Sequence, residues 1–113
     1  MKTLIVVRHA KSSWDDPELP DIERPLNARG EHDAPRMAKR LKEKGLLIDA
    51  VVTSPAVRTT ATCDVFIERI GIDKKNVRSV RELYHADDEV ILSVVQKFNN
   101  NNDVAMLFGH NPD

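Results

Sequence analysis

The strongest constraint on this chain is an alternation. Four short apolar runs, Thr3 to Val7, Ala50 to Thr53, Val77 to Val80 and Val104 to Phe108, are separated by segments of helical period. The runs are β-branched-rich or continuously apolar, as strands covered on both faces are. Strands alternating with helices predict a helix-covered, mostly parallel sheet with right-handed crossovers, an α/β three-layer sandwich. In open sheets of this class ligands bind beyond the carboxyl ends of the strands. The residues that follow each run are therefore the first candidates for chemistry.

The helical signal is clearest from Pro55 to Ile70, with Val57, Ala61, Val65 and Phe66 on a common side. Ser54 and Pro55 suit a cap and first turn, and Gly71 suits a terminator. An earlier helix ends near Gly45 and carries Ala34, Met37, Ala38 and Leu41 at i, i+3, i+4, i+7 spacing. Pro35 leaves two beginnings open: near Asp33, or near Asn27 with a bend. A third helix runs from about Asp87 to Phe98, with an acidic first turn and Ile91, Val94, Val95 and Phe98 inward, and Asn99 to Asn102 follow as a polar loop. Neither a repeat nor a linker divides residues 1–113, a length that suits one domain. Lys11 to Asn27 is the longest stretch without periodicity, interrupted by Pro17, Pro20 and Pro25. A long ordered loop beside a strand end is often part of a site.

Composition narrows the partners. Seventeen Lys and Arg against eighteen Asp and Glu supply no general field for nucleic acid or an anionic membrane. No run approaches the roughly 18 apolar residues of a membrane helix. The apolar stretch at the N-terminus is too short for a signal-peptide core, so the expected location is cytoplasmic. Cys63, the single cysteine, falls in an apolar helix pattern and reads as a small packing residue in a reducing compartment.

Arg8 and His9 follow the first run, Arg58 the second, Glu82 the third and His110 the fourth. A phosphoryl group carries close to two negative charges at neutral pH, so a site that receives one needs directed cations and a nucleophile. Arg8 and Arg58 would bracket its oxygens through bidentate forks, Arg58 from the first turn of a helix where free N–H groups also favour an anion. His9 is then free to be neutral and to attack phosphorus with one ring nitrogen while a hydrogen bond fixes the other. His110, after Gly109, would donate to the equatorial oxygens in the transition state. Glu82 is the carboxyl candidate for protonating a leaving group and activating water. Each also has a plainer reading: Arg8 as a strand-end ion pair, His9 as a packed ring, Glu82 as the partner of a nearby arginine. Arg24 before Pro25 reads as a loop fastener, His32 as solvated, Trp14 and Tyr84 as packing anchors that would line the mouth of a pocket if functional, and His85 as a loop residue that would contact substrate if functional.

Arg8-His9-Ala10, Ser54-Pro55-Ala56-Val57-Arg58-Thr59, Arg81-Glu82-Leu83-Tyr84 and Gly109-His110-Asn111-Pro112, in that order, resemble the histidine phosphatase superfamily, with Ala10 where its signature usually has Gly. Lys11-Ser12-Ser13-Trp14, Arg24-Pro25-Leu26-Asn27 and Leu83-Tyr84-His85-Ala86 are similar to its small bacterial phosphohistidine phosphatase branch. The resemblance implies a phosphorylated His9 intermediate, a phosphate pocket of Arg8, His9, Arg58 and His110, Glu82 at the position of the family's proton donor, and neither metal nor other cofactor. It also implies a fold whose last helix and edge strand lie beyond residue 113, so that the fourth strand would keep an uncovered apolar surface, or be covered by another copy, and His110 would sit on a frayed end. The expected activity is removal of phosphoryl groups, with phosphohistidine in a protein as substrate. The alternatives are a small-molecule phosphomonoesterase or mutase, and a phosphoprotein-binding module without turnover.

Overall fold

The computed structural model describes residues 3–84, 86–98 and 103–110. Four parallel strands, β1 (Thr3–Arg8), β2 (Ala50–Thr53), β3 (Val77–Ser79) and β4 (Val104–Gly109), form one sheet in the order β1-β4-β2-β3. Helices α1 (Ala28–Glu43), α2 (Val57–Ile70) and α3 (Asp88–Gln96) connect them, and single 3₁₀ turns lie at Asp21–Glu23, Lys74–Asn76 and Arg81–Leu83. This is the expected α/β layering. Because the last strand inserts between the first two, and all four run the same way, the exits of β1, β4 and β2 share one rim.

The strand period of two sorts the core into two sides. Val51, Met106 and Phe108, with Ile5 and Val7, pack against Ala38 of α1 and Cys63, Phe66 and Ile67 of α2. Val52, Leu107 and Leu4 face the other way, against Val94 and Ile91 of α3 and Leu83. Phe66 meets Phe108 edge-on, centroids 5.2 Å apart, a contact worth about 0.5–1.5 kcal/mol beyond its buried area. Ala105 to Phe108 are fully buried, so the fourth strand is the centre of the sheet and lacks the uncovered surface expected for it. β1 stands at one edge of the sheet, and its Val6 is 62% exposed. A groove of about 770 Å³ beside that edge is lined by Ile5, Val7, Met37, Leu41 and Phe66 and reaches His9.

Helix α1 takes the earlier of its two possible starts. The Asn27 side chain accepts from the Gly30 N–H at 2.8 Å, and Pro35 is accommodated inside the helix. Ala34 and Ala38 are buried, whereas Met37 turns outward into the groove. Helix α2 starts at Val57, with Ala56 as its N-cap, later than the Ser54-Pro55 pair suggests. Its buried face is Thr59, Thr62, Cys63, Phe66 and Ile67, together with Arg58, and Val57 is exposed. The apolar stripe drawn from hydropathy meets this face only at Phe66, leaves Ala61 and Val65 half-buried beside it, and overlooks two threonines and an arginine that are buried there through hydrogen bonds. Gly71 closes the helix at φ +86°, a left-handed conformation that suits glycine. No described helix is long and apolar enough to cross a membrane. The polar loop Asn99 to Asn102, and Asn111, Pro112 and His85, lie outside the described residues.

Candidate active site

Backbone hydrogen bonds tie two strand exits to β4: the His9 N–H donates to the Gly109 carbonyl at 3.1 Å and the Ser54 N–H to the Phe108 carbonyl at 3.0 Å. His9, Ser54 and His110 are thereby held on one rim. The His9 and His110 rings stand 5.2 Å apart, centroid to centroid, inclined at 59°.

His9 Nδ1 lies 2.7 Å from the Ala10 carbonyl oxygen, a group that can only accept, so Nδ1 carries the proton and Nε2 keeps its lone pair. Partial burial, reinforced by the positive charges of Arg58, Arg8 and Arg24, holds the His9 pKa below its ordinary value. The turn after His9 is fixed in its own right: the Ala10 N–H donates to Thr62 Oγ1 at 3.0 Å, and that hydroxyl donates to the Arg58 carbonyl at 2.8 Å.

Arg58 is almost fully buried at the start of α2. Its Nη1 donates to the Asp21 carbonyl at 2.6 Å, its Nη2 to Asp21 Oδ2 at 3.0 Å, and Nη2 also approaches His110 Nδ1 at 3.5 Å. His110 Nε2 lies 2.8 Å from Ser54 Oγ and 3.4 Å from Thr59 Oγ1. A guanidinium can only donate, so Nδ1 faces it as acceptor and the ring proton sits on Nε2, toward the hydroxyls. His110 is anchored rather than frayed. Its ring also meets Tyr84 in a T-shaped contact at 5.6 Å.

Arg8, exposed at the end of β1, adds its charge to the His9 environment and lines the groove that reaches it, and makes no ion pair with another described residue. Glu82 is exposed in the 3₁₀ turn Arg81–Leu83 and has no hydrogen bond or ion pair with a described residue. The structure thus gathers His9, Arg58 and His110 closely, with Arg8 at their margin, and gives Glu82 no contact to them.

The loop from Lys11 to Asn27 folds back on itself through the Ser12–Leu26 bridge and the Ser13 N–H to Pro25 carbonyl bond of 2.8 Å. Arg24 fastens it, donating to the Ser13 carbonyl, Ser12 Oγ and Asp21 Oδ1, and its guanidinium lies 3.3 Å from the ring centre of an exposed Trp14. His32 is exposed in α1. Cys63 is buried, and desolvation pushes its thiol pKa up to about 12, as suits an unreactive packing residue.

Sequence reasoning missed Asp21, Ser54 and Thr62 as parts of this site. Ser54 carries the signature of a helix cap and Thr62 that of a helix surface. For Asp21 the one local signal is the acid placed three residues before Arg24 in an otherwise aperiodic loop.

The sequence model of the histidine phosphatase superfamily, branch 1, matches residues 4–104. The chain belongs to that superfamily. Its backbone superposes on the SixA structure from Agrobacterium tumefaciens with a TM-score of 0.90 at 27% identity, covering 99% of this chain and 71% of that one. The fold is also that of the protein histidine phosphatase SixA complexed with tungstate, with a TM-score of 0.86 at 22% identity over 96% of this chain and 69% of that one. Among curated proteins, an uncharacterized chloroplastic protein of Arabidopsis thaliana is 34% identical over 97% of this superfamily member and 54% of its own length. A 2,3-bisphosphoglycerate-dependent phosphoglycerate mutase of Mesorhizobium japonicum is 32% identical over 68% of this chain and 39% of its own length. The chain therefore spans about half of the first of these relatives and less of the second.

Proposed function

We propose that this chain carries the site of a phosphatase that works through a phosphorylated His9, with phosphohistidine in a protein as its substrate. The observation that carries the reading is the state of His9. A hydrogen bond to its own chain fixes Nδ1, burial and then three arginines disfavour the protonated ring, and Nε2 keeps its lone pair on a ring 5.2 Å from that of His110. That is the condition of a nucleophile awaiting an anion.

In the proposed reaction His9 Nε2 attacks phosphorus, the P–N bond of the substrate breaks, and the departing imidazole keeps the electron pair and takes a proton. Arg8 and Arg58 offset the charge of the transferred group. A dianion lodged between Arg58 and His110 favours a proton on His110 Nδ1, and the ring then donates from both nitrogens, to Ser54 and to a phosphoryl oxygen. Water next attacks phospho-His9, the new P–N bond breaks, and inorganic phosphate leaves. A phosphoramidate nitrogen is basic enough to leave already protonated, so such a substrate asks little of Glu82. The groove and rim are open, which favours a side chain presented by a protein over a small molecule that must be enclosed. The phosphoglycerate mutase among the relatives supports a second reading, transfer to or from a small phosphorylated acid, in which Glu82 would be the proton donor.

A single-turnover experiment with radiolabelled phosphohistidine protein and an alkaline quench tests this. Label is expected on His9 and not on a His9→Ala variant. Binding without any labelled intermediate would reduce the chain to a phosphoprotein-binding module, and faster labelling by phosphoglycerate or sugar phosphates would favour the second reading.

A further inference from the structure

The loop between β1 and α1 contributes one residue whose contacts exceed what a loop needs for its own fold. Asp21 meets Arg58 twice, through its carbonyl at 2.6 Å and Oδ2 at 3.0 Å. Oδ2 also accepts from the Tyr84 hydroxyl at 2.5 Å, and Oδ1 accepts from Arg24 Nη1 at 2.8 Å. Arg24 and Arg58 are nearly buried, their side chains 8% and 7% exposed, and both meet this carboxylate. We propose that Asp21 is the positioning residue of the phosphate pocket: it sets the Arg58 guanidinium directly and the His110 ring through Tyr84 before any anion arrives.

The geometry explains the choice of residue. An arginine has long rotamer freedom, and a fork that must meet tetrahedral oxygens at fixed angles gains from being held by two acceptors on one side. With Nη1 and Nη2 each giving one hydrogen to Asp21, their remaining hydrogens point elsewhere, and one Nη2 hydrogen faces His110 Nδ1. Tyr84 extends the same constraint: its hydroxyl is bound to Asp21 while its ring packs on His110. One carboxylate thus links the first loop, the start of α2 and the turn after β3. The Asp21 carboxyl lies well below the usual carboxylate range, chiefly through the Tyr84 hydroxyl with Arg24 and Arg58 adding to it. It is accordingly an acceptor at every working pH and holds no proton for a leaving group.

This proposal rests on the phosphate-site reading above, and two readouts separate their fates. Inorganic phosphate binding by calorimetry, and KM and kcat on phosphohistidine protein, are measured for the wild type, Asp21→Ala, Asp21→Asn and Tyr84→Phe, with thermal melts to confirm folding. Asp21→Ala is expected to weaken phosphate binding and raise KM roughly tenfold or more, as loss of a charge-assisted bond does. Asp21→Asn, whose amide oxygen still accepts from Arg58, is expected to recover part of that loss, with Tyr84→Phe smaller than Asp21→Ala. Folded variants with wild-type phosphate affinity and KM, or with tighter phosphate binding, overturn the proposal. Should the wild type bind phosphate without turnover while Asp21→Ala binds it weakly, positioning stands and the catalytic reading falls. A wild type that neither binds phosphate nor turns over phosphohistidine protein overturns both.

Discussion

His110 and Ser54 are joined by a 2.8 Å contact between Nε2 and Oγ, and through it the end of β4 is locked to the exit of β2. The bond settles which ring nitrogen of His110 faces Arg58, and hence which one an anion would meet. Ser54→Ala removes the shorter of the two hydroxyl partners and leaves Thr59 Oγ1 at 3.4 Å. The expected result is a roughly tenfold loss in kcat/KM with a melting temperature only modestly lowered, the scale of one buried hydrogen bond. Steady-state kinetics on phosphohistidine protein check it, and an unchanged kcat/KM would detach His110 orientation from activity.

His9 supplies a pH prediction with a definite sign. Its folded pKa lies below the ordinary 6.5, because burial and the arginines disfavour the imidazolium. The unfolded chain takes up the proton first as pH falls, so the stability contributed by neutral His9 is in place above about 6.5 and is lost as pH falls toward the folded value. The acid limb of kcat/KM should likewise lie below 6.5, since only the neutral ring attacks. NMR titration of the His9 ring beside the kinetic profile is the measurement. A midpoint at or above 6.5 contradicts the desolvated, cation-flanked site.

Gly30 carries a packing prediction. A Cβ there would overlap the Lys11 carbonyl oxygen, which already accepts from the Asn27 N–H at 2.9 Å. Backbone cannot yield as a flexible side chain can, so Gly30→Ala should cost about 1–3 kcal/mol in denaturant unfolding. The strain falls two residues from His9, and a loss of activity beyond the loss of stability is expected. A stability equal to wild type would mean that the close approach of α1 to Lys11 is not maintained in solution.

Glu82 separates two kinds of leaving group. Exposed and without an ion partner among the described residues, it is available as an acid only to a substrate that reaches the turn after β3. Glu82→Gln should damage hydrolysis of phosphate esters more than that of phosphoramidates, whose nitrogen leaves protonated. Parallel assays on the two substrates decide it, and equal losses would count against the leaving-group argument.

Much of this molecule is written locally. The four strands, the cap of α1 by Asn27, the stop of α2 at Gly71 and the placement of Arg8, His9, Arg58, Glu82 and His110 after successive strands follow from side-chain periodicity and turn chemistry acting over a few residues. Tertiary structure alone decided the strand order, and with it that β4 lies inside the sheet while β1 stands at one edge. It also turned the buried face of α2 toward Thr59 and Thr62, moved Ser54 from helix cap to partner of His110, and brought Asp21 against Arg58. These are polar contacts between segments remote in the chain. Hydropathy has no term for them, because a threonine or an arginine becomes a buried residue only when its partner arrives from elsewhere.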